Sequence, residues 1–354
     1  MSSLTLTSSA RFTDVNSAPS PRCPLPASLP DRFEVGELVQ PAPGHCFRPT
    51  ALNDRGFAIG NLIKPRRFEG ASWSAAGLCF PPLPDKPLGE ICAENAWPFS
   101  AVSSTGLIAG TVGASDDTRR AWASHRGDFG QRFWPNALSF AQGVNAAGTV
   151  VGKTLIASDP VLISRGFVLQ EAGRPQFFHA PDGGFTDAIA VNDRGTVLLN
   201  ITGLASRAPR LSSWIWSADA YTPLETPSDC ASCGVAMTSD DTVLGFVEPR
   251  SGPRYVVLWV NQRLTALNLS TDRKFRPRGL NDQLVAAGSA LSPSGERLAC
   301  RWSFGRGLEF LRDLCPEPPK VTFTDATAIN QAGQILCIGR RGAQDSGFLL
   351  NPQA

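Results

Sequence analysis

An eleven-residue pattern occurs seven times in this chain, and no other feature constrains the fold as strongly. The copies start at Ala51, Ala101, Gly143, Ala190, Ala236, Gly279 and Ala328, so successive copies begin 42 to 50 residues apart. The clearest copy reads AVNDRGTVLLN and places a polar turn between two aliphatic runs. Repeats of this length are typical of propellers and solenoids, in which each unit buries its apolar face against its neighbours.

The turn inside the pattern predicts a β-hairpin. In the fourth copy, Asn192 and Asp193 have side chains suited to bonding turn backbone, and Gly195 accepts a positive φ without steric cost. Short β-branched runs without internal proline flank this turn and are typical of strands. The fifth and sixth copies carry Asp241 and Leu284 at the glycine position, which predicts distorted turns in these two repeats.

Two further signals accompany each hairpin. Only alanine or glycine stands two positions before the asparagine, which predicts a strand where neighbouring backbones are crowded. An aromatic or aliphatic cluster follows downstream, and in six copies another short apolar run comes after it. The clusters centre on Trp73, Trp122, Phe167, Trp214 with Trp216, Trp259, Trp302 and Phe348. The sequence therefore predicts an all-β, seven-bladed β-propeller of four-stranded antiparallel blades.

The two ends of the repeat region complement each other. Residues 31 to 40, DRFEVGELVQ, resemble a fourth strand, whereas the last repeat stops after its third strand at Ala354. We therefore expect the N-terminal strand to complete the last blade and close the ring, which removes open sheet edges. Residues 32 to 354 then form a single propeller domain, and the Ser- and Pro-rich residues 1 to 31 form a flexible tail.

Composition narrows the function classes. Charged residues make up 18% of the chain and nearly balance at a net charge of +2, so nothing predicts a nucleic-acid partner. No apolar run is long enough to span a bilayer and no signal peptide is recognisable, so we expect a cytoplasmic protein, and a monomer. No known catalytic motif and no phosphate-cradling glycine loop occurs, and we expect no cofactor.

Nine cysteines include one C-x-x-C pair, Cys230 and Cys233. A zinc site would need a second pair or histidines at matching spacing, and the sequence has neither. Free thiols are the favoured interpretation, and a local disulfide or redox pair is the alternative.

The repeats resemble those of the bacterial HAF-repeat proteins, whose unit pairs an Ile-Asn-x-x-Gly-x-Val-x-Gly hairpin with a His-Ala-Phe-Leu-Trp-like strand. The matching residues are Asn53, Gly56 and Gly60; Asn145, Gly148 and Gly152; Asn192 and Gly195; Asn330 and Gly333; and Trp73, Trp122, Trp216, Trp259 and Trp302. The resemblance covers residues 32 to 354, although the His-Ala-Phe tripeptide itself is absent. It implies a β-propeller-like fold, often on secreted proteins, and no established catalytic residues. The family's secretory habit conflicts with the N-terminal sequence, in which no signal peptide is recognisable, and for localisation we give more weight to the sequence.

Arginines concentrate in the predicted loops between second and third strands. These loops hold twelve of the 28 arginines, and all seven repeats contribute. We expect them to share one face with the loops that enter each repeat, around the mouth of the central channel. Charged residues also recur where the first strand of a repeat begins. The candidate binding residues are Arg48, Asp187, Arg276, Arg278, Asp325, Arg67, Arg120, Arg210, Arg254 and Arg341.

Three functions suit this face. Guanidinium groups pair with carboxylates and phosphates, so the leading hypothesis is a non-enzymatic propeller that binds a protein partner or an anionic ligand there. The second is an enzyme acting on a small carboxylate- or phosphate-bearing molecule in a pocket with Arg48, Asp187 and Arg276. The third is a carbohydrate-binding propeller with aromatic-lined pockets. A purely structural interpretation competes with all three, because arginines also solvate loops and pair with acids of adjacent blades.

Overall fold

The computed structural model describes residues 29–38, 46–64, 67–74, 77–79, 99–112, 119–125, 128–133, 138–158, 161–170, 174–180, 183–203, 210–267, 269, 274–315, 321–342 and 344–353. Within these residues, 28 strands form seven four-stranded antiparallel sheets, and the one helical element is a 3-10 turn at Leu311–Leu314. The predicted seven-bladed β-propeller is therefore confirmed.

In the first three blades the strands run outward from the channel in chain order. Blade 1 consists of β2 (Cys46–Leu52), β3 (Ala58–Lys64), β4 (Arg67–Ser74) and β5 (Gly77–Cys79). Blade 2 consists of β6 (Phe99–Val102), β7 (Ile108–Val112), β8 (Arg120–His125) and β9 (Asp128–Phe133). Blade 3 consists of β10 (Leu138–Val144), β11 (Val150–Ser158), β12 (Val161–Leu169) and β13 (Gln176–Phe177).

The next three blades repeat this order. Blade 4 consists of β14 (Phe185–Val191), β15 (Val197–Gly203), β16 (Arg210–Ser217) and β17 (Ala220–Pro223). Blade 5 consists of β18 (Cys230–Met237), β19 (Val243–Pro249), β20 (Tyr255–Val260) and β21 (Arg263–Ala266). Blade 6 consists of β22 (Arg276–Leu280), β23 (Ala286–Leu291), β24 (Arg297–Ser303) and β25 (Gly307–Phe310).

Blade 7 closes the ring with a strand from the other end of the chain. Its order is β26 (Thr322–Ile329), β27 (Ile335–Arg341), β28 (Gln344–Gln353) and β1 (Arg32–Glu37). β1 pairs antiparallel with β28, and the ring of Phe33 is buried in the core shared by blades 6 and 7. The first strands of neighbouring blades contact one another all the way round, including β26 with β2. The predicted closure by the N-terminal strand is confirmed.

The hairpins between first and second strands share one geometry, so the expectation of distorted turns in blades 5 and 6 is wrong. Asp241 and Leu284 have φ values of 68° and 57°, beside 82° for Gly195. The Leu284 N–H donates to the Asn281 carbonyl at 2.9 Å, as the Gly195 N–H does to that of Asn192 at 3.0 Å. A side chain in this left-handed conformation costs roughly 1 to 2 kcal/mol, so the packing of the repeat overrides the local preference.

Substitution at this turn position tests the backbone strain. We expect Leu284→Gly to raise the free energy of unfolding by about 1 kcal/mol, because glycine adopts a positive φ without strain. Gly195→Ala should lower it by about the same amount. A Cβ on Gly195 would have no heavy atom within 4 Å, so that loss reports on the backbone alone. Urea denaturation measures both changes, and a destabilised Leu284→Gly variant would contradict the strain.

Every first strand contains a β-bulge three residues before the asparagine position. The invariably small residue stands directly after this bulge. A Cβ on Gly143 would lie 3.3 Å from the Cα of Ala190, and one on Gly279 would lie 3.4 Å from the Cα of Ala328. These are the equivalent positions of the next blade, so the predicted crowding of neighbouring backbones is confirmed.

The turn asparagines link the blades to one another. Five of them donate a side-chain hydrogen bond to a backbone carbonyl in the equivalent turn of the following blade, at 3.0 to 3.2 Å. The bond from Asn330 to the Asn53 carbonyl crosses the seam between the last and first blades. Each of the five also accepts a hydrogen bond from a backbone N–H four residues later in its own turn. The repeated asparagine is therefore both a turn-forming and a blade-joining residue.

Aromatic residues of the third strands fill the space between blades. Trp122, Trp216, Trp259 and Trp302 are each at most 8% exposed. Such burial leaves little aromatic surface for a sugar, so these side chains act in packing. In the described part of the chain, no helix has the length and apolar character needed to cross a membrane.

Candidate functional site

One end of the propeller carries nearly all the predicted site residues. Because adjacent strands run antiparallel, the second-to-third and fourth-to-first connections emerge at the same end, which we call the loop face. The asparagine turns lie at the opposite end, which we call the hairpin face. The candidate residues on the loop face fall into separate groups.

The first group joins blade 7 to blade 1. Asp345 accepts a bond from Nε of Arg340 at 3.1 Å, and its second oxygen lies 3.7 Å from Nη2 of Arg48. Both arginines are about half exposed, whereas the Asp345 side chain is 16% exposed. Burial raises the pKa of the neighbouring Cys46 thiol, and the Asp345 charge raises it further. Cys46 therefore stays a neutral thiol at physiological pH.

The second group surrounds Asp187 at the start of β14. Lys153 of blade 3 lies 3.1 Å from one carboxylate oxygen, and the Ser164 hydroxyl donates to the other. This arrangement holds blades 3 and 4 together. Lys153 and Ser164 are absent from the residues that the sequence singles out. The available signal is a lysine inside the otherwise apolar run VVGKTLI, which strand β11 aims at the next blade.

The third group pairs Arg278 with Asp325 between blades 6 and 7. Nε and Nη2 of Arg278 both lie 3.2 Å from one oxygen of Asp325. Arg278 is the bulged residue of β22, and β26 has an additional bulge just before Asp325. Bulges re-aim side chains, which accounts for this contact. The other oxygen of Asp325 is buried without a hydrogen-bond partner among the described residues.

Two further arginines pair at the periphery. Nη2 of Arg210 lies 2.6 Å from Asp229, and the hydrogen bond and charge of Arg210 lower the pKa of that carboxyl. Nη2 of Arg341 lies 3.2 Å from Glu37 of β1, so this pair supports the ring closure. Arg120 is exposed at the start of β8, and Arg67 begins β4.

A fourth group, the cationic cluster, consists of Arg254, Lys274, Arg276 and Arg297 on blades 5 and 6. No ion pair of the described residues involves any of these four. Nη1 of Arg297 donates to the carbonyls of Lys274 at 3.3 Å and Ser289 at 3.4 Å, which brings it over the strand pair containing Arg276. No carboxylate of the described residues lies within ion-pair distance of these four side chains, so their positive charge is offset only at longer range, by Asp325.

The positive charges of this cluster repel one another. Partial burial lowers the pKa of the Arg297 guanidinium, and the positive charges of Arg276 and Arg254 lower it further. Asp325 acts in the opposite direction, but Arg278 already pairs with it. Arg254 is stacked 4.9 Å above the ring of Phe246, a cation–π contact that fixes its position. An anion bound here would relieve the repulsion.

Metal and thiol chemistry receive no support from the described residues. They contain no group of three or more His, Cys, Asp and Glu side chains that could hold a metal ion. Cys230 and Cys233 lie on one strand, β18, and both are free thiols. Burial raises the pKa of Cys233, so its reactive thiolate form is disfavoured.

The pocket that the enzyme hypothesis requires would unite Arg48, Asp187 and Arg276. In the described residues each belongs to a different group, and no ion pair or hydrogen bond connects them. The loop-face prediction thus separates into two sets. Arg48, Asp187, Arg210, Arg278, Asp325 and Arg341 form ion pairs, whereas Arg120, Arg254 and Arg276 form none among the described residues. The side chain of Arg67 lies outside the described part of the structure.

Comparison with known proteins identifies the fold. No family model matches the chain, and no curated protein matches its sequence. The β-propeller domain of the Trilobed protease from Pyrococcus furiosus, reported to have an open velcro topology, is similar with a TM-score of 0.60 at 9% identity over 89% of this chain and 95% of that one. The Pyrococcus horikoshii acylaminoacyl peptidase is also similar, with a TM-score of 0.61 and 10% sequence identity. The match covers 86% of this chain but only 51% of the peptidase, so this chain spans about half the length of that protein.

These similarities concern architecture alone, because the identities are near 10%. They agree with the β-propeller architecture described above. Since no family matches, the resemblance to HAF-repeat proteins stays a prediction. The predicted cytoplasmic location and monomeric state also stay predictions.

Proposed function

We propose that this protein is a binding propeller that engages an acidic segment of a protein partner on its loop face, centred on the cationic cluster of blades 5 and 6. The observation that carries the proposal is the accumulation of Arg254, Lys274, Arg276 and Arg297 outside the ion pairs of the described residues. Arg210, Arg278 and Arg341 of this face already pair with carboxylates, whereas these four form one group without an ion pair among the described residues.

The spacing of the cluster favours a partner with several negative charges. Its members lie at the beginnings of three different strands in two blades. Arg254 directly precedes β20, Arg276 begins β22 and Arg297 begins β24. A single small anion contacts one or two guanidinium groups, whereas an extended acidic segment can reach all of them. The absence of a known catalytic motif from the sequence favours binding over catalysis.

Octaglutamate is a suitable probe, titrated into the full-length protein by isothermal calorimetry. We expect binding that weakens as NaCl rises from 50 to 500 mM, because salt screens exposed charges. Arg276→Glu should weaken the affinity at least tenfold, since it replaces an attraction with a repulsion. Arg55→Glu is the matched control, because Arg55 is an exposed arginine on the hairpin face.

Three results would contradict the proposal. One is an equal loss of affinity in Arg55→Glu and Arg276→Glu, which would indicate nonspecific attraction. Another is inorganic phosphate binding as tightly as octaglutamate, which would indicate a small-anion site. The third is no binding at 50 mM NaCl.

A further inference from the structure

A cavity on the hairpin face lies where the segment before β1 crosses blades 6 and 7. Its volume is about 160 Å³. Apolar walls come from Leu29, Phe33, Val285, Ile329 and Ile335, and Gln283 stands at the rim. A cavity of about 150 Å³ is large enough to hold benzene, so this one accommodates a compact apolar group of that size.

One charged side chain, Arg301, also forms the cavity wall, and it is only 1% exposed. Its Nε donates to Glu309 at 2.9 Å, its Nη2 donates to the Pro30 carbonyl at 2.8 Å, and its guanidinium lies 5.2 Å from the centre of the Phe33 ring. The hydrogen bonds of the described residues leave Nη1 without a partner. Nη1 is not among the polar side-chain atoms of the described residues that are both fully buried and unpartnered, so it keeps contact with accessible space, and an acceptor in the cavity can bind it.

Arg301 belongs to a network in which two arginines and two carboxylates alternate. Glu309 divides its interactions, because its other oxygen lies 3.7 Å from Nη1 of Arg306. Arg306 in turn pairs with Asp31 and donates to the Leu29 carbonyl at 3.3 Å. Among the described residues that line the cavity, Arg301 is the one with a charge. The ion pairs and hydrogen bonds around it hold the segment before β1 in place as the outer wall.

We propose that this cavity binds a small monocarboxylate with a compact apolar body, of about the size of benzoate. The carboxylate accepts a charge-assisted hydrogen bond from Nη1 of Arg301, which is stronger than a bond to a neutral acceptor. The apolar body packs against Phe33, Val285 and Ile335. Because the walls come from β1 and from blades 6 and 7, the occupant binds the closed ring and stabilises it.

Thermal unfolding of the full-length protein with benzoate tests this site. We expect the Tm to rise with benzoate concentration, since a ligand that binds only the folded state stabilises it. Benzamide has the same shape without the charge, and its affinity by calorimetry should be at least tenfold weaker. Equal affinities would overturn the assignment of a carboxylate ligand, and an unchanged Tm at 20 mM benzoate would overturn the site itself.

Two variants at one turn position locate the effect. Ala332 is exposed at the cavity rim, and Ala147 is exposed at the equivalent position of blade 3. We expect Ala332→Phe to keep the Tm of the free protein while abolishing the response to benzoate, because its ring blocks the cavity. Ala147→Phe should respond like the parent protein. A response that persists in Ala332→Phe, or disappears in Ala147→Phe, would overturn the location.

The same measurement separates this site from the loop face. Arg276→Glu removes a cation of the proposed acidic-segment site, at the other end of the propeller. It should leave the benzoate response unchanged. Loss of that response in Arg276→Glu would place benzoate on the loop face and overturn the cavity proposal.

Discussion

Deletion of residues 1 to 38 should abolish cooperative unfolding at ambient temperature, or lower the free energy of unfolding by more than about 5 kcal/mol. The deletion removes all of β1 and exposes the β28 edge that pairs with it. It also removes Phe33 and Leu38, which are 1% and 5% exposed, and burial of each such side chain stabilises by about 1.5 to 3 kcal/mol. A total stability of roughly 5 to 15 kcal/mol leaves little margin. Circular dichroism with chemical denaturation measures the change.

A point substitution isolates the packing contribution of β1. Phe33→Ala should lower the free energy of unfolding by about 3 to 5 kcal/mol, the usual range for a buried phenylalanine. Phe304→Ala is the matched control, because Phe304 is 43% exposed, and it should cost less than about 1 kcal/mol. A truncated protein that unfolds like one lacking only residues 1 to 28 would contradict the role of β1 in closing the ring.

Asn61→Ala should lower the free energy of unfolding by about 2 to 3 kcal/mol. Asn61 lies on β3 of blade 1 and is fully buried. Its side chain spans the joint to blade 2, accepting from the Phe99 N–H at 3.2 Å and donating to the Phe99 carbonyl at 3.3 Å. The Thr50 hydroxyl still donates to that carbonyl in the variant, so the unpaired Phe99 N–H and the new void account for most of the loss.

Gln176→Ala provides the matched control for Asn61→Ala. Gln176 has the same functional group, but it is exposed on the short outer strand β13. Its removal should change the free energy of unfolding by less than about 0.5 kcal/mol. If the two variants unfold at the same urea concentration, the amide of Asn61 does not connect the blades.

The repeat pattern predicted the blades and their closure because those features depend on local and periodic information. Asn192 and Gly195 specify a hairpin within five residues of chain, and seven such hairpins specify the blade count. The exception at Leu284 shows the limit of this reasoning. Its local preference predicts a distorted turn, but the surrounding strands impose the common geometry.

The candidate site was only partly accessible to the same reasoning. Position in the repeat correctly placed Arg210 and Arg276 at strand starts that belong to the loop face. Position in the repeat did not show which of the two arginines forms an ion pair, because ion pairing depends on carboxylates that lie far away in the sequence or on another blade. Asp229 forms an ion pair with Arg210, whereas no carboxylate of the described residues pairs with Arg276. Lys153 and Ser164 were missed for the same reason, since their partner Asp187 lies on the next blade.

The sequence by itself determined the strands, the number of blades and the strand that completes the last one, because hairpin turns and apolar alternation are encoded by neighbouring residues. Only the tertiary structure decided which charges remain available. It also placed Arg301, remote in sequence from Pro30, against the segment that closes the ring. Ion pairing and cavity formation depend on distances between blades, and those distances exist only once the seven repeats have met around a common axis.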